Sequence, residues 1–309
     1  MHASQEIASP RGAAAGPGDS RPVMVQTRRG PVECAFLGEG PAVLALHGAM
    51  GGYDQSLLLA RGAGVPGYRY IAASRPGYLG TSLSLGRTPM EQADCYRDLL
   101  DALGIERAAV MAVSGGGPSA LQFALSHPDR CWGLVMISSV CTRMEERLPL
   151  AWYIMKLASR VGPLMAAMQR KAAKDPERGT RRSIPDPVMR ERTLRDPEAG
   201  PLLLELQRST LERVRLRMPG TENDITLTHR ELSFPLERIT SPLLVVHGTK
   251  DRTASFAQGQ LLARRVPGAE LLALEGGDHV GIFTHLHEVR ARVGRFLGAH
   301  APAVTSAAS

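Results

Sequence analysis

The sequence predicts an α/β protein with a mostly parallel central sheet, helices on both faces and one inserted all-helical segment. Three observations carry this expectation. Short apolar runs alternate with longer helical patterns over residues 22–140 and again over 236–300. The alternation stops between them, over 141–235, where no stretch reads as a strand. The run Ala112-Val113-Ser114-Gly115-Gly116-Gly117 then joins a strand pattern to a helix pattern, with a serine at the tip. Strand-helix alternation of this kind gives parallel strands that are covered on both sides.

In chain order, residues 1–21 are rich in Ala, Gly, Ser and Pro and read as a disordered leader. They hold no apolar h-region, so a secretory signal is not expected. Residues 23–26 and 32–36 form a strand pair. Strands follow at 42–46, 69–73, 108–113 and 132–137, with helices at 53–60, 90–103 and 118–126. Within 141–235, Leu150, Ile154, Leu157, Ala158, Val161, Met165 and Met168 recur at helical spacing. Gly162-Pro163 divides that stretch, and Asp186-Pro187 and Gly200-Pro201 start two more helices. A cap of four helices is therefore expected over 141–235. A strand at 243–246, a helix at 256–265, a strand at 270–274 and a helix at 284–297 complete the core, and 301–309 form a flexible tail.

Composition narrows the function classes. The chain has 309 residues, 43% hydrophobic and 22% charged, as in globular proteins generally. No apolar run approaches the roughly 20 residues of a membrane span, so no membrane partner is expected. The net charge is +7, but no Lys/Arg block exceeds two residues and only 5% are aromatic, which argues against a nucleic-acid partner. Residues 141–235 hold +5 of the charge. A solvated basic surface is the plain reading. Attraction of anionic substrates through Arg181-Arg182 or Arg213, Arg215 and Arg217 is the sharper one. Cys34, Cys95, Cys131 and Cys141 make no CxxC pair and no zinc spacing. Buried free thiols in a reducing cytoplasm are expected, with no metal. Oligomeric state is left open.

A strand-to-helix turn as sharp as that at Ser114 needs small residues two before and two after the serine, here Ala112 and Gly116. It lifts the hydroxyl above the sheet, at a helix N-terminus that favours developing negative charge. Such a hydroxyl needs a base, an orienter for that base and donors for an oxyanion. His279 follows the last strand pattern and Asp251 the one before it, so both reach the carboxyl edge of the sheet with Ser114. Asp278, adjacent to His279, is the rival orienter, but sequence neighbours in a loop rarely face one another. Ala49 in His47-Gly48-Ala49-Met50-Gly51-Gly52 and Gly115 supply the donor N–H groups, with Met50 as a substitute for Ala49. Met50, Trp152, Tyr153, Met155, Met165 and Met168 are candidates for an apolar substrate pocket; ordinary helix packing explains the insertion residues equally well. His47 and His247 read as structural, His127 as a surface turn, His285 and His287 as solvated or half-buried on the last helix, and Asp54 as a helix cap.

With these motifs in order, the chain resembles the α/β-hydrolase fold superfamily, in its capped serine-hydrolase, esterase-like branch. The matching pieces are His47-Gly48 with its glycines, Arg75-Pro76-Gly77-Tyr78-Leu79-Gly80-Thr81-Ser82, the turn at Ser114, His247-Gly248-Thr249-Lys250-Asp251 and Gly277-Asp278-His279. They cover residues 22–140 and 236–298. The resemblance implies that Ser114 is nucleophile, His279 base and Asp251 orienter, with no cofactor. It implies cleavage of a small carboxylic ester through an acyl-enzyme. The alternatives are hydrolysis of a carbon–carbon bond in ring-cleavage dienoates, or a non-catalytic ligand receptor on the same fold. Two departures stand out. Ala112 replaces the usual glycine, and Gly115 stands where many relatives carry Met, Leu or Gln, which is expected to widen the pocket floor.

Overall fold

The computed structural model describes residues 21–303 except 146, 147, 149, 176 and 231. The expected leader and tail therefore lie outside the described residues, apart from residues 21 and 301–303. Among the described residues, eight strands form one sheet: β1 (Val23–Thr27), β2 (Gly30–Leu37), β3 (Ala42–Leu46), β4 (Arg69–Ala73), β5 (Ala108–Val113), β6 (Cys131–Ile137), β7 (Leu243–Gly248) and β8 (Glu270–Leu274). Their order is β1-β2-β4-β3-β5-β6-β7-β8. β2 is antiparallel to β1 and β4, and all other pairs are parallel.

The central strands read as continuous apolar runs because both faces are covered. Leu44, Leu46, Val110 and Ala112 pack with Leu99 of α2 (Pro89–Ala102) and Leu121 and Phe123 of α3 (Gly117–Ser126). The alternate residues Val43, Ala45, Ala109 and Met111 pack with Leu58 and Leu59 of α1 (Tyr53–Ala63) on the other face. Val289 and Val293 of α12 (Leu286–His300) join that second cluster. α2 begins where its sequence dictates: Thr88 and Glu91 form a reciprocal capping box around Pro89. α10 (Phe256–Arg265) connects β7 to β8. The expected final helix is split into α11 (Gly281–Thr284) and α12, with His285 between them.

Among the described residues, six α-helices rather than four lie between β6 and β7. They are α4 (Leu150–Ala158), α5 (Gly162–Lys174), α6 (Glu177–Ser183), α7 (Pro187–Arg195), α8 (Ala199–Leu211) and α9 (Val214–Thr228). The break at Gly162-Pro163 and the start at Asp186-Pro187 fall as expected, and Asp186 caps α7 by accepting from Val188 and Met189 N–H. α6 escapes the sequence reading because it is short and polar. α9 escapes it because Pro219 sits in its interior, a position that normally interrupts a helix.

The structure accommodates Pro219 by opening that turn to the core. Gly220 N–H donates to Gly77 O at 2.8 Å, and Leu216 O accepts from Leu79 N–H at 2.9 Å. The segment after β4 thus docks onto α9. Gly77 adopts φ 89°, and any side chain there would strike the backbone of Gly220. Beyond the break, α9 turns Thr221, Asp224 and Thr228 inward, all buried.

Candidate active site

Ser114 leaves β5 with φ 52°, the left-handed conformation that a sharp strand-to-helix turn requires. The turn is pressed against β3. A side chain at Gly116 would lie 2.8 Å from His47 O and 2.9 Å from Leu46 O, and one at Gly48 would lie 3.0 Å from Ser114 Cβ. Gly116 is therefore small because of the neighbouring strand's carbonyls, rather than because of Ala112 as the local turn geometry suggested. Val140 N–H donates to Ser114 O at 3.1 Å and ties the turn to the segment after β6.

The three sequence candidates meet at the carboxyl edge. His279 Nε2 lies 3.0 Å from Ser114 Oγ, and His279 Nδ1 lies 2.8 Å from Asp251 Oδ2. A carboxylate only accepts, so the imidazole carries its proton on Nδ1 and offers Nε2 to the serine hydroxyl. Asp251 Oδ1 accepts from Thr253 N–H at 2.8 Å and Ala254 N–H at 3.0 Å. Burial alone would raise the Asp251 carboxyl. The hydrogen bonds from His247 and His279, the His279 charge and Thr253 N–H outweigh it and hold the group well below the usual carboxylate range. Asp278, the rival orienter, is shifted the other way, chiefly by burial. The structure brings Asp251, not Asp278, to His279.

His47 and His247 sit in the structural roles expected of them. His47 Nδ1–H donates to Gly48 O at 2.6 Å, and its Nε2 accepts from Arg75 N–H at 3.0 Å. Burial, then the charge of Arg75, lowers its basicity well below that of a free histidine. His247 Nε2–H donates to Ala254 O at 2.8 Å. His127 is less exposed than a surface turn implies; it pairs with Asp94 at 3.0 Å. His285 is half-buried beside Thr284, whereas His287 is exposed and contacts Asp196 at 2.9 Å.

The expected donor pair is also adjacent. A Cβ on Gly115 would come within 3.4 Å of Ala49 N. Met50 does not substitute for Ala49, because its N–H is already committed to Thr221 Oγ1 of α9 at 3.0 Å. Met50 is held at φ 59°, and several residues of the insertion converge on its loop. Gln55 Nε2 donates to Met50 O at 3.2 Å, to Ser209 Oγ at 3.0 Å and to Thr210 Oγ1 at 3.2 Å. Asp54 lies in the first turn of α1 rather than at its N-cap, Gly52; it accepts from Gln55 N–H at 2.9 Å, from Arg217 Nη1 at 3.1 Å and Nη2 at 2.5 Å, and from Arg213 Nη2 at 2.9 Å.

A second group missed by sequence reasoning lies beside Gly115. Asp224 of α9 receives both Nη atoms of Arg75, with Nη1 at 3.1 Å, and the Tyr78 hydroxyl at 2.6 Å. All three residues are buried. Burial and the Asp224 charge push the Tyr78 phenol well above its ordinary range, so it stays a donor. The space that Gly115 vacates is thus not pocket floor. A Cβ there would lie 3.1 Å from Asp224 Oδ2. The motif Arg75-Pro76-Gly77-Tyr78 was visible in the sequence, but nothing local pointed to its partner 149 residues away.

Met50, Trp152, Met155 and Met168 pack together with the buried Ala158, Met165, Val214 and Met218. This apolar cluster adjoins the loop after β3 through Met50. Tyr153 is exposed and takes no part in it. The four cysteines are free and buried, and burial pushes the thiols of Cys34, Cys95 and Cys141 up to about 12. Among the described residues no cluster of three or more His, Cys, Asp or Glu is arranged to hold a metal, and no helix is long and apolar enough to cross a membrane.

An eight-stranded sheet carrying a serine, a histidine and an aspartate in hydrogen-bonded series at its carboxyl edge defines a recognisable architecture. The chain belongs to the alpha/beta hydrolase fold family, whose model matches residues 41–286. A solved alpha/beta hydrolase fold protein from Nakamurella multipartita is 34% identical, covering 90% of this chain and 99% of that one, with a TM-score of 0.79. The uncharacterized hydrolase YcgS of Bacillus subtilis is 27% identical over 81% of this chain and 89% of its own length. A 2-hydroxy-6-oxononadienedioate/2-hydroxy-6-oxononatrienedioate hydrolase of Paraburkholderia phymatum is 27% identical over 75% of this chain and 77% of its own.

Proposed function

We propose that this protein is a serine hydrolase that cleaves carboxylic esters through an acyl-enzyme. The observation that carries the reading is the series Ser114 Oγ, His279 Nε2, His279 Nδ1 and Asp251 Oδ2, with links of 3.0 and 2.8 Å. Ser114 Oγ bonds to the acyl carbon as its proton passes to His279 Nε2. Asp251 stabilises the imidazolium without taking the proton. The oxyanion accepts from Ala49 and Gly115 N–H. Collapse expels the alcohol, which leaves with the Nε2 proton, and water then repeats the sequence to release the acid. Residues 22–140 and 236–300 form the catalytic core in this reading, and 141–235 its cap. The cluster of Met50, Trp152, Met155 and Met165 supplies the apolar wall. The buried thiols suit a reducing cytoplasm.

Carbon–carbon bond hydrolysis of a ring-cleavage dienoate is the second reading. It is favoured by the names of relatives such as the Paraburkholderia phymatum enzyme. The same serine, base and donors would serve it. A non-catalytic receptor is disfavoured by an intact proton path, and absence of all turnover would restore it. The deciding experiment is a screen of purified protein against esters of graded chain length and against a ring-cleavage dienoate, with Ser114→Ala as control. Ester turnover abolished by Ser114→Ala supports the first reading. Turnover of the dienoate with esters untouched replaces it with the second.

A further inference from the structure

α9 has a second face that the proposed reaction does not use. Thr221 and Asp224 face the core beside the donor loop and Gly115. On its outer side, α9 borders an open cavity of about 620 Å3, flanked by the residues after α4 and by the segment after β4. Arg87, Arg160 and Arg215 line it, one from each of these three segments, with Met218, Pro219 and Glu222.

The charge in this cavity is unbalanced. Arg213 and Arg217, next to Arg215 in sequence, are spent on Asp54. Arg181 is spent on Asp175. Of the insertion arginines singled out from the sequence, Arg215 is the one that reaches this cavity. Glu222 is answered by Lys156 at 3.4 Å. Among the described residues no carboxylate pairs with Arg87, Arg160 or Arg215. The Arg87 backbone is fixed on both sides, its N–H on Glu91 Oε2 at 2.8 Å and its carbonyl on Asn223 Nδ2 at 2.8 Å. Arg87, Arg160 and Arg215 are exposed, so water and salt screen their mutual repulsion, and an anion held between them lowers it further. Guanidinium groups match phosphate and carboxylate oxygens in a bidentate way. Leu83, Met218 and Pro219 add apolar wall, and the volume is that of a small-molecule site.

We infer that this cavity binds a small organic anion bearing two or more negative charges, phosphorylated or polycarboxylated, at a site separated from Ser114 by α9. The test is calorimetric titration of the full chain at fixed low ionic strength, where surface charge is least screened. Inorganic pyrophosphate and citrate are the probes, and the tighter one tells phosphate from carboxylate chemistry. Saturable binding of one equivalent is expected, weakened about tenfold or more by Arg160→Ala and by Arg215→Ala, the loss of charged hydrogen bonds. The double variant Arg170→Ala/Lys171→Ala removes exposed charge that does not line the cavity, and binding should be unchanged. Absence of saturable binding by both probes overturns the proposal. So does equal weakening in the double variant, which would show diffuse attraction to a basic surface. The readout is binding rather than turnover, so the result is independent of the proposed reaction.

Discussion

Thr221→Val tests whether the helical insertion shapes the donor loop. The substitution nearly conserves volume at a position only 2% exposed, and it deletes the oxygen that accepts Met50 N–H at 3.0 Å. An N–H left without a partner costs about 1–3 kcal/mol. Met50 also stores strain at φ 59°, of order 1–3 kcal/mol for a non-glycine residue in that region. With the bond gone, both terms favour relaxation of the loop, which turns Ala49 N–H away from the reacting oxygen. Complete loss of one such donor lowers kcat by about 10²–10³. Gln55 still holds Met50 O, and Arg217 still holds Asp54, so the loss should be partial, between about tenfold and about a hundredfold. KM should stay close to that of the parent, because the donors act on charge that develops in the transition state. Thr221→Ser keeps the acceptor and should recover most of the rate. The assay is steady-state kinetics on the best ester from the screen, beside a thermal melt of each variant. A kcat within about twofold of the parent in folded Thr221→Val, or an equal loss in Thr221→Ser, would refute the reasoning.

Asp251→Asn should abolish most turnover while Asp278→Asn leaves most of it, since only Asp251 accepts from His279 Nδ1; paired kinetics decide, and the reverse ranking would overturn the assignment. Gly115→Ala should lower the melting temperature, by a cost of about 1–3 kcal/mol for overpacking, because its methyl meets Asp224 at 3.1 Å in a carboxylate pinned by Arg75 and Tyr78. Stability should fall as pH drops below about 6.5, the ordinary histidine value. His47 is neutral in the fold with its basicity lowered, so below that pH the unfolded chain binds a proton that the folded chain refuses. Melts from pH 8 to 5 check this, and substitution of His47 should flatten the slope. Asp251, lowered in the fold, contributes stability present above about pH 3.9 and lost as pH falls through its lower folded value.

The part of the candidate site that the sequence made visible is the part encoded by local punctuation. Ser114, Asp251 and His279 each follow a strand at a turn rich in small residues, so a short window reveals both the residue and the sheet edge it occupies. Thr221, Asp224 and Arg217 have no such window. They are one face of a helix with a proline inside it, and their partners lie 171, 149 and 163 residues away. Gly115 shows the difference well. Its smallness was legible, but the reason, a carboxylate brought from α9, belongs to tertiary packing. The same holds for Met50, whose N–H looked free until Thr221 was placed.

The docking of the Gly77–Leu79 segment onto the opened turn at Pro219 bears on how such proteins can be altered. Recombining helical insertions between relatives is an obvious route to new substrate preference, and it assumes that the insertion is a detachable module. Here it is not. A transplanted insertion without a proline-broken helix would leave Gly77 O and Leu79 N–H without their counterparts. One without the right donors and acceptors would release Asp54 and Met50. The unit that can be exchanged, by an engineer or by recombination over evolutionary time, is the insertion together with residues 50–55 and 75–79, three separate stretches of the gene that must change in step.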